Sequence, residues 1–101
     1  MKVWFAPSSK EDSVVKIEGQ LSDFQKLVGG YVEIFNIGEG LVVVLNEEGA
    51  LQDLPYNRTL VTTRGEIDIV GDFVITRINK KGDFVSLSKS DIKCLEELFL
   101  S

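Results

Sequence analysis

Apolar positions along the chain change period several times, and each change marks an element. Lys2 to Ala6 is rich in strand-forming residues and stops at Pro7, ahead of the polar stretch Ser8 to Ser13. Val14, Val15 and Ile17 predict a second strand that ends at Gly19 and forms a hairpin with the first across a long connection. From Leu21 the period lengthens: Leu21, Phe24, Leu27 and Val28 recur at three- and four-residue spacing. A short helix is expected there, with Ser22 or Asp23 capping its first turn and Gly29 and Gly30 ending it.

Tyr31 to Ile37 and Leu41 to Asn46 read as a hairpin around Gly38, Glu39 and Gly40. Leu41 to Leu45 contains no polar residue, so it is expected to be a central strand covered on both faces. Asn46 to Asn57 is a polar, turn-rich loop in which Leu51 and Leu54 are expected to anchor into the core. Thr59 to Thr63, Ile67 to Val70 and Phe73 to Ile78 have strand character and are expected to complete the sheet. A turn at Asn79 to Asp83 leads to a last short strand with Phe84, Val85 and Leu87. Ser88 and Asp91 have the spacing of a capping box, and Ile92, Leu95, Leu98 and Phe99 form the expected buried stripe of a final helix, with Cys94 beside it. The fold class is therefore α+β: a single domain over residues 1–101, with a mostly antiparallel sheet and two short helices, one after the second strand and one at the C-terminus. Two short helices cover little of so apolar a sheet, and a second copy of the chain is an expected partner.

Composition narrows the function more than the fold. At 101 residues the chain suits one hydrophobic core, so a site must lie on its surface or between copies. The formal net charge is −5 and the 11 basic residues are scattered, which leaves no Lys/Arg stripe for a phosphate backbone, and no direct nucleic-acid contact is expected. The acidity serves solubility, or suits a protein that occupies a basic groove on a nucleic-acid enzyme. One cysteine allows no internal disulfide. The longest uncharged apolar run, Leu41 to Leu45, is far short of the ~20 residues that span a membrane, and Met1 to Ala6 is too brief for a signal segment. A cytoplasmic location without membrane contact is the expectation.

The chain contains no histidine, so Ser-His and Cys-His nucleophilic pairs and histidine metal sites are excluded. Cys94 falls in mid-helix beside a core stripe and is read as structural. Glu47 and Glu48 near Asp53 match no calcium loop, and the glycine pairs match no phosphate motif; no metal or cofactor is expected. No catalytic residue is assigned, and the expected activity is binding rather than catalysis. The richest candidate is the Asn46 to Arg58 loop, where Asn46, Glu47, Glu48, Tyr56, Asn57 and Arg58 offer amides, carboxylates, an aromatic face and a guanidinium fork to a ligand or partner. Arg58 alternatively pairs with Glu47 or Glu48 and fastens the loop. Trp4, near a chain end, and the acidic residues Glu66, Asp68 and Asp72 are the candidate protein-interface positions.

Several segments then support a comparison. Leu27-Val28-Gly29-Gly30-Tyr31-Val32-Glu33, Asn46-Glu47-Glu48-Gly49, Leu54-Pro55-Tyr56-Asn57-Arg58, and Gly82-Asp83-Phe84-Val85-Ser86-Leu87-Ser88 with Asp91-Ile92 occur in order. Together they resemble the successive signatures of the family called domain of unknown function 3846; Thr62 to Asp68 departs from its pattern. The resemblance implies a small protein of phages, prophages or plasmids without an established enzymatic activity. From that context the functional expectation is an accessory protein of the bacterial host cytoplasm that binds and inhibits a host defence protein or complex, such as a restriction or CRISPR system. A nucleotide-like small-molecule binder acting through the Asn46 to Arg58 loop and a non-catalytic scaffold are the alternatives.

Overall fold

The computed structural model describes residues 1–62 and 64–100. The elements, in chain order, are β1 (Lys2–Ala6), β2 (Ser13–Lys16), α1 (Leu21–Val28), β3 (Val32–Gly38), β4 (Leu41–Asn46), β5 (Tyr56–Thr62), β6 (Gly65–Val70), β7 (Phe73–Ile78), β8 (Phe84–Val85) and α2 (Lys89–Phe99). The main sheet runs β2-β1-β7-β4-β3, with β8 paired onto β7, and its pairings are antiparallel. β5 and β6 form a separate two-stranded ribbon.

The sheet has two covered faces because its inner strands are apolar on both sides. Along β7, Phe73 and Ile75 point to one face and Val74 to the other; along β4, Val43 lies on the first face and Val42 and Val44 on the second. The second face is covered by α1, where Phe24 and Val28 pack on Val3, Val42, Val44 and Val74. Phe24 is fully buried with its ring 4.4 Å from that of Phe84, so Phe24→Ala costs about 3–5 kcal/mol. The first face is covered by α2 and the ribbon together: Leu87, Leu95, Leu60 and Ile69 pack on Trp4, Ala6, Val43, Phe73 and Ile75.

Both helices are set by their ends. The Asp23 carboxylate accepts the backbone N–H groups of Gly19 and Gln20, each at 3.0 Å, and Gly29 at φ 80° closes α1 in the left-handed region. Ser88 caps α2 by accepting the Asp91 N–H at 3.1 Å, while the Asp91 carboxylate accepts the Ser88 N–H at 3.0 Å.

Several expectations are corrected. The strand expected from Thr59 starts at Tyr56, and the ribbon it forms folds across the sheet instead of extending it; the expected end at Thr63 lies outside the described residues. The cause is local: Gly71 takes φ 76°, its N–H donates to the Pro55 carbonyl at 2.6 Å, and a Cβ there would stand 2.7 Å from Leu54 Cδ1. The chain therefore turns sharply out of the ribbon into β7. Leu51 and Leu98, expected in the core, are 88% and 69% exposed, and Cys94 is exposed as well. Leu41 to Leu45 lies inside the sheet as expected, but the middle position belongs to β7.

Candidate functional site

The Tyr56 to Arg58 segment begins β5, and a register irregularity there turns Arg58 inward. Its Nη1 and Nη2 donate to the two carboxylate oxygens of Asp12 at 2.7 and 2.6 Å, and its Nε donates to Asn57 Oδ1 at 2.9 Å. The guanidinium sits between the rings of Phe73 and Phe99, with its carbon 5.1 and 4.9 Å from their centroids. Asp12, with its side chain only 3% exposed, accepts a third hydrogen bond from Trp4 Nε1 at 3.0 Å. Asn57 Nδ2 donates to the carbonyls of Ala6 and Gly71 at 2.9 and 2.8 Å. Planar fork meets carboxylate with its donors used internally, so this arrangement fastens the 7–12 connection, β1 and the ribbon to one another.

Two readings from the sequence change here. Arg58 pairs with Asp12, not with Glu47 or Glu48. Trp4 is not a surface contact: strand alternation turns it toward α2, it is 1% exposed, its ring lies 6.1 Å from that of Phe99, and its N–H is held by Asp12.

Asn46 is also structural. It is 3% exposed; its Nδ2 donates to the Val28 carbonyl and to Gln52 Oε1 at 3.2 and 3.3 Å, and its Oδ1 accepts the Glu48 N–H at 2.8 Å. It ties the end of α1 to the loop after β4, while the side chains of Glu47 and Glu48 remain exposed. Tyr56 is exposed and its hydroxyl meets Thr59 Oγ1 at 2.5 Å; because Thr59 gives its own proton to Asp68 Oδ1 at 2.6 Å, Tyr56 is the donor. Asp72 Oδ1 accepts the Ser8 N–H and hydroxyl at 2.9 and 3.3 Å. Glu66 is exposed on the ribbon, directly opposite Val61. The six loop candidates are thus divided: Asn46 faces a cleft under α1, and Arg58 faces α2.

Arg58 borders an apolar groove of about 520 Å³ between α2 and β5. Leu41, Leu60, Ile75 and Leu95 form its floor and walls, and Leu98 and Val61, 69% and 82% exposed, border it. Cys94 opens onto it. The sequence does not single out Val61, and it places Leu98 in the buried stripe of α2. Adjacent Leu60 and Val61 carried a signal, since a strand with apolar residues on both faces needs cover on both, and the ribbon receives it on one.

At the far end of the same face, Arg77 on β7 grips Asp91 on α2 through Nη2 and Nε at 2.7 and 3.0 Å, and its Nη1 donates to the Glu39 carbonyl at 2.7 Å. The Arg77 guanidinium holds the Asp91 carboxyl well below the usual carboxylate range, opposed by burial and aided by Ser88. Arg77 is correspondingly raised, chiefly by its hydrogen bond to Asp91. This pair fixes α2 on the sheet. Among the described residues no group of three or more His, Cys, Asp or Glu side chains is arranged to hold a metal, and no helix is long and apolar enough to cross a membrane.

The family model described as domain of unknown function (DUF3846) matches residues 1–100. The chain belongs to this family. Neither a curated protein nor a solved structure matches it. In this DUF3846 chain, the first two segments that carry the family resemblance meet in space, and the others tie down neighbouring elements. Val28 and Gly30 of the first lie against Asn46 of the second, where a Cβ on Gly30 would stand 3.0 Å from Asn46 Nδ2. Asn57 and Arg58 of the third hold β1 and the 7–12 connection, and Asp91 in the last holds Arg77. Those polar residues build the DUF3846 scaffold, which leaves the groove beside α2 as its candidate binding surface.

Proposed function

We propose that this DUF3846 chain is an accessory protein of a phage or other mobile element that acts by binding a host defence protein, and that the α2 groove with the adjoining face of the ribbon is its contact surface. The observation that carries this reading is the pair Val61 and Leu98, two large apolar side chains held in water beside a preformed apolar groove. Burying either on a partner supplies about 1.5–3 kcal/mol, or roughly ten- to hundredfold in affinity. Val61 is flanked across the ribbon by Glu66, with Asp68 two pairs further on, so the apolar centre has an acidic border suited to a basic partner. The polar groups of Asn46, Asn57 and Arg58 are bonded internally, which favours a protein partner over a small ligand gripped by that loop.

The test is phage plating on bacterial strains carrying single restriction or CRISPR systems, with and without the chain expressed. The wild-type chain should raise plating on at least one strain, and Leu98→Asp should not, while melting at the wild-type temperature. Plating unchanged on every strain, or equal rescue by Leu98→Asp and Val61→Asp, would overturn the reading.

A further inference from the structure

β3 is an edge of the main sheet, and its protection is confined to one charge, Glu33, and a register shift at its far end between Asn36 and Gly38. It is seven residues long, Val32–Gly38, without Lys or Pro, whereas the opposite edge β2 has four residues and ends on exposed Lys16. Ile34 on this edge is 44% exposed.

The ladder shows which backbone groups are free. Tyr31 lies opposite Glu47 and its carbonyl accepts the Glu47 N–H at 2.8 Å. Antiparallel pairing alternates, so Glu33 and Phe35 bond to β4, and the N–H and C=O groups of Val32, Ile34 and Asn36 face outward. Beside them is a cleft of about 470 Å³ lined by Ile34, Phe35, Asn36, Thr62, Arg64 and Ile67. Arg64 is exposed, and its side chain has no carboxylate partner among the described residues, unlike Arg58 and Arg77.

We propose that a second copy of this chain adds its β3 antiparallel to this edge, so that the two sheets become one, and that Glu33 of the partner subunit pairs with Arg64 in the cleft. The register is selected by charge and by the free backbone groups. Centred on Glu33, it places two carboxylates face to face, which is unfavourable. Centred on Ile34, it pairs the outward groups of Val32 with Asn36 of the partner subunit and packs the two exposed Ile34 side chains together. The same register sets Glu33 of the partner subunit opposite Phe35, at the cleft that holds Arg64. The only charge on each β3 thus meets the uncompensated charge on the other copy. Neither Glu33 nor Arg64 lines the α2 groove, so this contact stands independently of the host-binding reading.

Light scattering after size exclusion, at about 100 μM protein, should show a two-chain particle for the wild type. Ile34→Pro removes an outward N–H that β4 does not use, and should give a folded single chain. Glu33→Arg and Arg64→Glu should each weaken dimerisation about tenfold or more, and the two combined should restore it to within about threefold. The charge-reversal set keeps the test decisive if Ile34→Pro fails to fold. A single-chain wild type, or a double reversal no tighter than the singles, overturns the proposal.

Discussion

Asp12 and Arg58 are separated by 46 positions in the chain and joined by two hydrogen bonds of 2.6 and 2.7 Å. Asp12 is 3% exposed and Arg58 25%, and aromatic rings flank the guanidinium. Desolvation makes such a pair costly to break from one side, because the remaining charge stays in a poorly hydrated place. Asp12→Ala should therefore lower unfolding stability by about 2–3 kcal/mol, discounted from a fully buried pair for the partial exposure of Arg58. That corresponds to a fall of about 8–20 °C in Tm for a domain of this size. A urea midpoint within error of the wild type would show that the pair adds nothing to stability.

The Arg77–Asp91 pair predicts acid sensitivity. The folded carboxyl of Asp91 is held below its unfolded value, so the folded state binds fewer protons. Its contribution is complete above the unfolded carboxylate range, near pH 4, and is lost as pH falls further through the folded value. With Arg77 about a third exposed, that contribution is about 1–2 kcal/mol. Asp91→Asn should lower stability at pH 7 and flatten the acid limb of a stability-pH curve; parallel curves for the two proteins would refute the assignment.

Asn46→Ala should cost about 2–3 kcal/mol, since it leaves the buried Val28 carbonyl without this donor and removes the acceptor of the Glu48 N–H. Amide exchange should accelerate at Glu48 and through the following loop more than in the sheet. Uniform acceleration across the sheet would mean that Asn46 supports the whole core and not that loop.

Cys94 is exposed on the groove, so one thiol per chain should react with an aromatic disulfide reagent in the absence of denaturant. A host partner seated in the groove should slow that reaction about tenfold or more. Labelling that requires urea would place the thiol in the interior and contradict the exposed position of Cys94.

Much of the scaffold is readable from local pattern. The β3–β4 hairpin, α1 with its closing glycine, and the Ser88–Asp91 cap all depend on residues a few positions apart, and period, turn chemistry and capping report those distances well. The ribbon is less legible because strand character at Leu60 and Ile69 does not say which sheet they join; Gly71 decides it through a turn whose partner, Leu54, is distant in sequence. The site is the least legible part. Arg58 was readable as a fastener, but its partner Asp12 lies in a polar stretch with several carboxylates and lysines near it, and nothing local distinguishes it. Leu98 fits the helical period of the buried stripe, yet α2 rests on Leu95, Ile92 and Phe99 and leaves the groove open on the Leu98 side.

The place of β7 in the sheet bears on how the chain emerges from the ribosome. The β1–β2 pair is made from the first 16 residues and the β3–β4 pair from residues 32 to 46, but β7, which stands between them, is not complete until residue 78. Until that strand is made, the β1–β2 and β3–β4 pairs each lack their neighbour on one flank, and the main sheet cannot be joined. The main sheet is completed only by a segment late in the sequence that pairs with two earlier ones, and such non-local pairing leaves apolar strands without cover for longer than a local hairpin would.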